Sequence, residues 1–329
     1  MDPYLYRLTR FVILLSCLIP SFICYLLVFF FLFKMKQITT QHLHHHFIFA
    51  LLICNFILIT TELPITLVFS YHGEAPIQSD RFCSFWMAYN YGLYDIGLFL
   101  MAFGSIERYF LIFHEGSVRR WRHIVHYPLL LFCFIYPSMF YSMIVNLYPC
   151  ENVYYYDTYT CGTPCYAYIP VPGTADYMAQ IFTPAVLIIL ANLILLFRVV
   201  KQKRSMKIAN TWRKNRLMYI QLVSISILYF LIWIPLVTIS MIRLFYDPFF
   251  LQDLVILIIN YCLYICPLAS PFISLIGLPV VRQHLTESIL HMIRINAIGN
   301  NNRVVPTVSG TTRNRNQQML NGIRYDEHQ

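Results

Sequence analysis

Four stretches of this sequence, residues 11–33, 177–197, 217–242 and 254–281, contain no Asp, Glu, Lys or Arg. A bilayer crossing takes about 20 mostly apolar residues. These runs are long enough to span a membrane and too long for ordinary core helices. Only 12% of the chain is charged and 58% is hydrophobic, whereas a soluble domain carries about twice that charged fraction. The chain therefore reads as an all-α membrane protein.

Seven candidate spans emerge: Phe11–Phe33, Phe47–Phe69, Cys83–Phe113, Ile124–Leu147, Met178–Val200, Leu217–Leu244 and Leu251–Ile276. They predict a seven-transmembrane helix bundle over residues 11–276. The second span holds Glu62, and the third holds Asn90 and Asp95. Lys and Arg collect on the cytoplasmic side of membrane proteins. With the N-terminus outside, all but Arg7, Arg10, Arg81 and Arg243 of the 24 basic residues fall inside. The net charge of +9 is thus mainly a topology signal, and no nucleic-acid partner is expected. Residues 1–10 form a short extracellular N-terminus. The first span is longer than a signal-peptide core and lacks a clear cleavage site, so it reads as an anchor. The expected location is the plasma membrane, crossed several times.

Ten cysteines divide into six within spans and four in predicted outer regions, Cys83, Cys150, Cys161 and Cys165. The outer compartment is oxidising, and an even count there suggests two disulfides. Residues 148–177 form the one long loop, with a tyrosine cluster (Tyr154, Tyr155, Tyr156, Tyr159) and the stretch Gly162–Cys165. This composition predicts a structured lid, with a hairpin as one form, stapled near Cys83. After Gly277-Leu278-Pro279, residues 280–295 repeat apolar side chains near helical spacing and predict a short amphipathic helix on the membrane surface. Residues 296–329 are rich in Asn, Arg, Gln and Thr and read as a disordered cytoplasmic tail.

Arg108 lies near the end of the third span, in Glu107-Arg108-Tyr109. An arginine within a membrane helix costs roughly 2.5–3.5 kcal/mol at its centre and less towards its ends. It is tolerated beside a partner or water, and Glu107 supplies a possible partner. Asn90 lies 18 residues earlier, five helical turns away on the same line, about 27 Å along the axis. Tyr94, Gly97, Met101 and Gly104 fall between them on that stripe. The glycines allow close helix approach. In the sixth span, Trp233-Ile234-Pro235 predicts a kink beside a bulky indole. The seventh carries Asn260, Tyr264, Pro267, Pro271 and Ser274 at helical spacing. Glu62, two residues before Pro64, is an intramembrane carboxyl group and a functional candidate by default. His42, His44, His45 and His46 have no Cys or carboxylate beside them. No metal site or cofactor is expected.

In this order and spacing, the pattern resembles the rhodopsin-like (class A) G-protein-coupled receptors over about residues 11–295. Cys83 matches the family's third-helix cysteine. Glu107-Arg108-Tyr109 looks like its Asp/Glu-Arg-Tyr motif, and Trp233-x-Pro235 like its sixth-helix Cys-Trp-x-Pro motif, with Ile232 in the Cys place. Pro64, Pro184 and Pro271 fall where the family carries prolines. The departures are also plain. Ser270-Pro271-Phe272-Ile273-Ser274 stands where the family has Asn-Pro-x-x-Tyr. Asn55 replaces a second-helix Asp, Asn192 a fifth-helix Tyr, and Gly97 a Ser, which puts the family's sodium site in doubt. The first helix lacks its Asn, with Pro20 and Ser21 near that level, and the fourth lacks its Trp. The chain looks like a divergent orphan or chemosensory-type member.

The resemblance implies a receptor that is not an enzyme. It implies an extracellular ligand among Asn90, Tyr94, Trp233, Asn260 and Tyr264. Asn90 replaces the aspartate that holds amines in aminergic members, which disfavours an amine. Coupling to a heterotrimeric G protein would run through Glu107, Arg108, Tyr109, Trp233, Pro235 and Pro271. Arrestin and receptor kinase would meet the tail, where Thr307, Ser309, Thr311 and Thr312 are phosphorylation candidates. The disulfide pairing chosen on this basis is Cys83–Cys161 with Cys150–Cys165. The alternative class is a seven-span transporter or ligand-gated channel, which predicts repeated halves and a charged path. Neither is visible in the sequence.

Overall fold

The computed structural model describes residues 3–34, 43–113, 126–203, 209–247, 250–251, 254–255, 258 and 260–277. The amphipathic stretch at 280–295, the tail at 296–329 and the side chain of Tyr109 lie outside what it describes. All regular structure among the described residues is helical. α1 is Pro3–Lys34. α2 is built of Leu43–Ile57, a π-helical turn at Leu58–Glu62, and Leu63–His72. α3 is Asp80–Phe113 and α4 is Tyr127–Leu147. α5 comprises Pro170–Asp176, a π-helical turn at Tyr177–Phe182, and Thr183–Lys203. α6 is Ala209–Phe245. α7 has a short turn at Asn260–Cys262 and then Ile265–Gly277.

Among the described residues, five helical segments are long and apolar enough to cross a membrane: Tyr4–Phe33, His46–His72, Tyr127–Leu147, Pro170–Ile194 and Ser224–Arg243. The protein is a multi-pass membrane protein on this count. α3 is as long as the others but more polar, since it carries Asp80, Arg81, Asn90, Asp95, Glu107 and Arg108. The continuous helix described in α7 has 13 residues.

Two helix boundaries differ from the sequence reading for local reasons. α5 begins at Pro170, so the preceding loop ends at Ile169 and not at Tyr177. Proline is favoured in the first helical turn because its missing N–H has no partner there anyway. α1 already begins at Pro3, so most of the segment 1–10 is helix. The loop itself is folded as 3-10 turns at Tyr159–Cys161 and Cys165–Tyr168, with no strand among its residues, so it is not a hairpin of paired strands.

The prolines explain the two π-helical turns. Pro64 and Pro184 each come one residue after such a turn. A proline inside a helix cannot donate to the carbonyl four residues back. In the widened turns before them the bonds run i→i+5: Leu63 donates to Leu58 and Thr183 to Met178. Glu62 closes the π-helical turn of α2 and is fully buried in the bundle.

The helices close on one another around α3. α3 packs against α2, α4, α5 and α6, and α1 packs against α2 and α7. α7 also meets α2 and α6. Two of the predicted close-approach positions are used. An added Cβ on Gly97 would meet the Tyr229 hydroxyl of α6 at 3.2 Å, and one on Gly104 would fall inside the buried Phe47 ring of α2. The described residues belong to one compact unit within residues 1–282.

Candidate functional site

Glu62 is the centre of a polar cluster near the disulfide-bearing end of the bundle. Its Oε1 accepts from Asn90 Nδ2 at 2.7 Å, Thr66 Oγ1 at 3.0 Å and Trp86 Nε1 at 3.3 Å. Its Oε2 accepts from the Tyr264 hydroxyl at 2.5 Å. Thr66 and Tyr264 hydroxyls lie 2.7 Å apart. Glu62, Thr66, Trp86 and Tyr264 are all fully buried. A buried carboxylate needs its lone pairs filled, and α2, α3 and α7 each supply donors. Bonds to an ionised group run about 1.5–3 kcal/mol apiece, so this cluster ties three helices together.

The loop between α4 and α5 reaches down to the same cluster. Tyr159 accepts from Asn90 Nδ2 at 2.9 Å, and its hydroxyl lies 3.0 Å from that of Tyr264. Its ring sits among Tyr261 (5.2 Å between centroids), Trp86 (5.9 Å) and Phe69 (6.3 Å). Tyr94 packs edge-on against Tyr264 at 5.8 Å. At the rim, the Arg10 guanidinium stands 3.9 Å over the Tyr261 ring.

The loop is held firmly enough to aim Tyr159. A disulfide joins Cys83 of α3 to Cys161, and a second joins Cys150 to Cys165. Thr160 and Cys161 adopt left-handed backbone (φ 53° and 58°) directly after Tyr159. Such a turn is unfavourable for non-glycine residues and persists where surrounding contacts impose it. Those contacts are present: Cys83, Cys161, Trp86, Phe69 and Ala75 form one buried cluster, with Tyr154, Tyr156 and Tyr159 packed on it. Ala75 N–H donates to the Tyr156 carbonyl at 2.7 Å, and the Tyr156 hydroxyl donates to Asp80 at 2.7 Å. That bond holds the Tyr156 phenol above its usual pKa, because it stabilises the protonated form.

A second polar seam joins α1, α2 and α7. Asn55 Nδ2 donates to Ser270 Oγ at 3.1 Å, and the Tyr25 and Ser270 hydroxyls are 2.6 Å apart. Pro271 lacks the N–H that would normally serve the Pro267 carbonyl. Tyr25 donates to that carbonyl at 2.8 Å and Ser270 at 3.2 Å. Ser21 donates to the Leu268 carbonyl at 3.0 Å. Asn55, Ser270 and Tyr25 thus meet in one neutral network, with Ser21 on the neighbouring carbonyl of α7.

At the other end of α3, Arg108 and Glu107 are both buried, with 3% and 7% of their surface exposed. Glu107 is held against Nδ1 of His126, at the start of α4. The Arg108 guanidinium lies 5.8 Å from the Phe47 ring centroid, so the residue filling the Gly104 gap also lies under the arginine. Between the two ends, Asp95 is buried and neither of its carboxyl oxygens has a hydrogen-bond partner. Asp176 of α5 accepts from Tyr141 at 3.2 Å and Tyr166 at 3.1 Å.

Of the residues singled out in the sequence, Asn90, Tyr94 and Tyr264 come together around Glu62. Trp233 is buried on α6 and Asn260 half-buried at the start of α7, and neither is among the groups that bond Glu62. Pro271 acts on the α1–α7 seam. Tyr159, Thr66, Trp86 and Tyr25 were not singled out for these contacts. Trp86 follows Cys83 by less than one turn and could have been found by that spacing. Tyr159 was visible only as one of a tyrosine cluster.

Residues 24–273 match the family model described as 7 transmembrane receptor (rhodopsin family). No curated protein matches the chain.

Proposed function

Because this chain belongs to the rhodopsin family of seven-transmembrane receptors, we propose that it binds an extracellular ligand and activates a heterotrimeric G protein. Seven crossings with the N-terminus outside, at the plasma membrane, complete this reading. The ligand enters from the disulfide-bearing end, beneath the loop, and meets Asn90, Tyr94 and Tyr264, with Trp233 and Asn260 lining the approach. One observation carries the proposal: a single helix, α3, bears Asn90 in the buried cluster and Arg108 at the opposite end. A ligand shifts the equilibrium only as far as it binds one state better than another. A change in how α2, α3 and α7 meet at Glu62 moves α3 against α6, and Pro235 inside α6 lets its far half swing. An amphipathic helix of the G protein then docks in the opened groove, with Arg108 on its wall. In this reading Glu107 releases His126 when the groove opens. Arrestin and a receptor kinase would act on the tail through Thr307, Ser309, Thr311 and Thr312.

The test is nucleotide exchange on co-expressed G proteins in membranes bearing the receptor at the surface. Ligand-dependent exchange that is lost in Arg108→Ala supports coupling. Its absence for every G protein, with the receptor correctly exposed, removes it.

A further inference from the structure

The cluster around Glu62 specifies the charge of what it binds. Trp86 Nε1 and Asn90 Nδ2 can only donate, and both reach Oε1 of Glu62. Among the described residues no ion pair reaches Glu62, and the hydrogen-bond partners of its carboxyl group are all neutral. A carboxylate buried in a membrane bundle without a counter-charge is expensive. Around it stands an aromatic box: Phe69, Trp86 and Tyr261 as walls, with Tyr94 and Tyr264 below. Such rings attract cations through their quadrupoles. The chain demonstrates this at the rim, where Arg10 already stacks 3.9 Å over Tyr261. The inside of the box is filled by one side chain, Tyr159, which comes from a loop and not from a helix.

We propose that the ligand is a small organic cation, bearing an alkylammonium or guanidinium group, that pairs with Glu62 as Tyr159 withdraws from the aromatic box. This rests on the reading of the cluster as the ligand site. The loss of an acid at position 90 does not argue against it, since Glu62 brings a carboxylate to 2.7 Å from Asn90. The cation donates to the carboxylate, its alkyl part replaces the Tyr159 ring between the aromatic walls, and an anionic ligand is repelled by the same charge. Tyr159 acts as the gate: its hydroxyl is held by Asn90 and Tyr264, and the binding of a cation must displace it.

The test uses purified full-length receptor and reads the unfolding midpoint against increasing n-butylammonium, butylguanidinium, 1-butanol and butyrate. Either cation should raise the midpoint saturably, while the alcohol and the carboxylate should not. Tyr159→Ala should tighten the apparent affinity for the cation about tenfold, because the cost of opening the gate is gone. Glu62→Gln should weaken it about tenfold or more. A gain in Tyr159→Ala is decisive even if Glu62→Gln fails to fold, since a merely damaged protein does not bind more tightly. The proposal is overturned if the alcohol acts like the cations, if folded Glu62→Gln keeps the response, or if neither wild type nor Tyr159→Ala binds either cation. Nucleotide exchange on the same preparations separates the two ideas. Cation binding without exchange supports the cation site and counts against coupling. Exchange evoked by a neutral or anionic compound, without cation binding, keeps the receptor and overturns the cation site.

Discussion

The hydroxyl of Tyr264 lies 2.5 Å from Oε2 of Glu62, across 202 residues of sequence. It is the bond by which α7 meets α2 at the core of the site, and Tyr264 is also the residue against which Tyr94 and Tyr159 rest. Removing this hydroxyl strips the carboxylate of its one donor on Oε2. Tyr264→Phe is expected to destabilise the receptor by about 1.5–3 kcal/mol, the range for a bond to a charged group. A melting curve of the purified protein checks this, and an unchanged midpoint would show that the bond carries no weight.

Gly104 has a different role, in packing. Its missing Cβ is the space into which the Phe47 ring fits, and that ring lies beneath Arg108. Gly104→Ala must push Phe47 aside in a crowded interior, at a cost of about 1–3 kcal/mol. Thermal stability should fall, and nucleotide exchange should change in the same variant because Arg108 moves with the ring. The companion change Phe47→Leu, made together with Gly104→Ala, should recover part of the stability. Failure to recover any would place the clash elsewhere.

Tyr25 and Ser270 share one carbonyl, that of Pro267, freed by Pro271. Each can serve it when the other is missing. Tyr25→Phe and Ser270→Ala should therefore each cost about 0.5–1.5 kcal/mol, and the double variant should cost more than their sum. A double-mutant cycle on unfolding midpoints measures the excess. Strict additivity would mean that the two hydroxyls do not substitute for one another.

Asp95 offers the opposite sign. It is buried with neither carboxyl oxygen hydrogen-bonded, and an unsatisfied buried polar group costs about 1–3 kcal/mol. Asp95→Leu is expected to raise the unfolding midpoint. A marked fall would show that the carboxyl group has a partner that compensates its burial.

The two disulfides divide the labour of holding the loop. Cys83–Cys161 ties down the residue two after Tyr159, while Cys150–Cys165 closes a stretch of 15 residues beside it. Closing a loop of that size is worth about 3 kcal/mol in the chain-entropy view. Cys150→Ser with Cys165→Ser should speed proteolysis within the loop and leave Tyr159 in its box. Limited proteolysis followed by mass spectrometry reads the first effect. If cleavage is no faster, the tyrosine packing alone holds the loop.

Much of this protein was legible along the chain because its strongest signals are local. Apolar runs without charge specify helices at membrane length, whatever they pack against. The stripe from Asn90 to Arg108 follows from helical geometry alone, and so does the grouping of Tyr94 with Asn90. Prolines announced where helices would be disturbed. The partners of Glu62 were not legible, although the residue itself stood out, because its donors come from positions up to 202 apart. Nor was the pairing of Glu107 with His126, since the adjacent Arg108 was the nearer charge in sequence and helical geometry turns neighbours apart.

Length, apolarity and helical period are properties of a segment, and the amino-acid sequence alone determined them: helices suited to a bilayer, a cysteine-bearing loop, and an arginine at one end of α3. Which side chains meet is a property of the whole packed bundle. Only the tertiary structure decided that Glu62, closing a π-helical turn before Pro64, would be buried among donors from three helices, that Tyr159 would descend from the loop to fill the box beside it, and that Tyr25, Asn55 and Ser270 would join at the Pro267 carbonyl of α7. Each of these depends on the distance between helices and on their rotation, which is set by packing and which no local stretch of residues encodes.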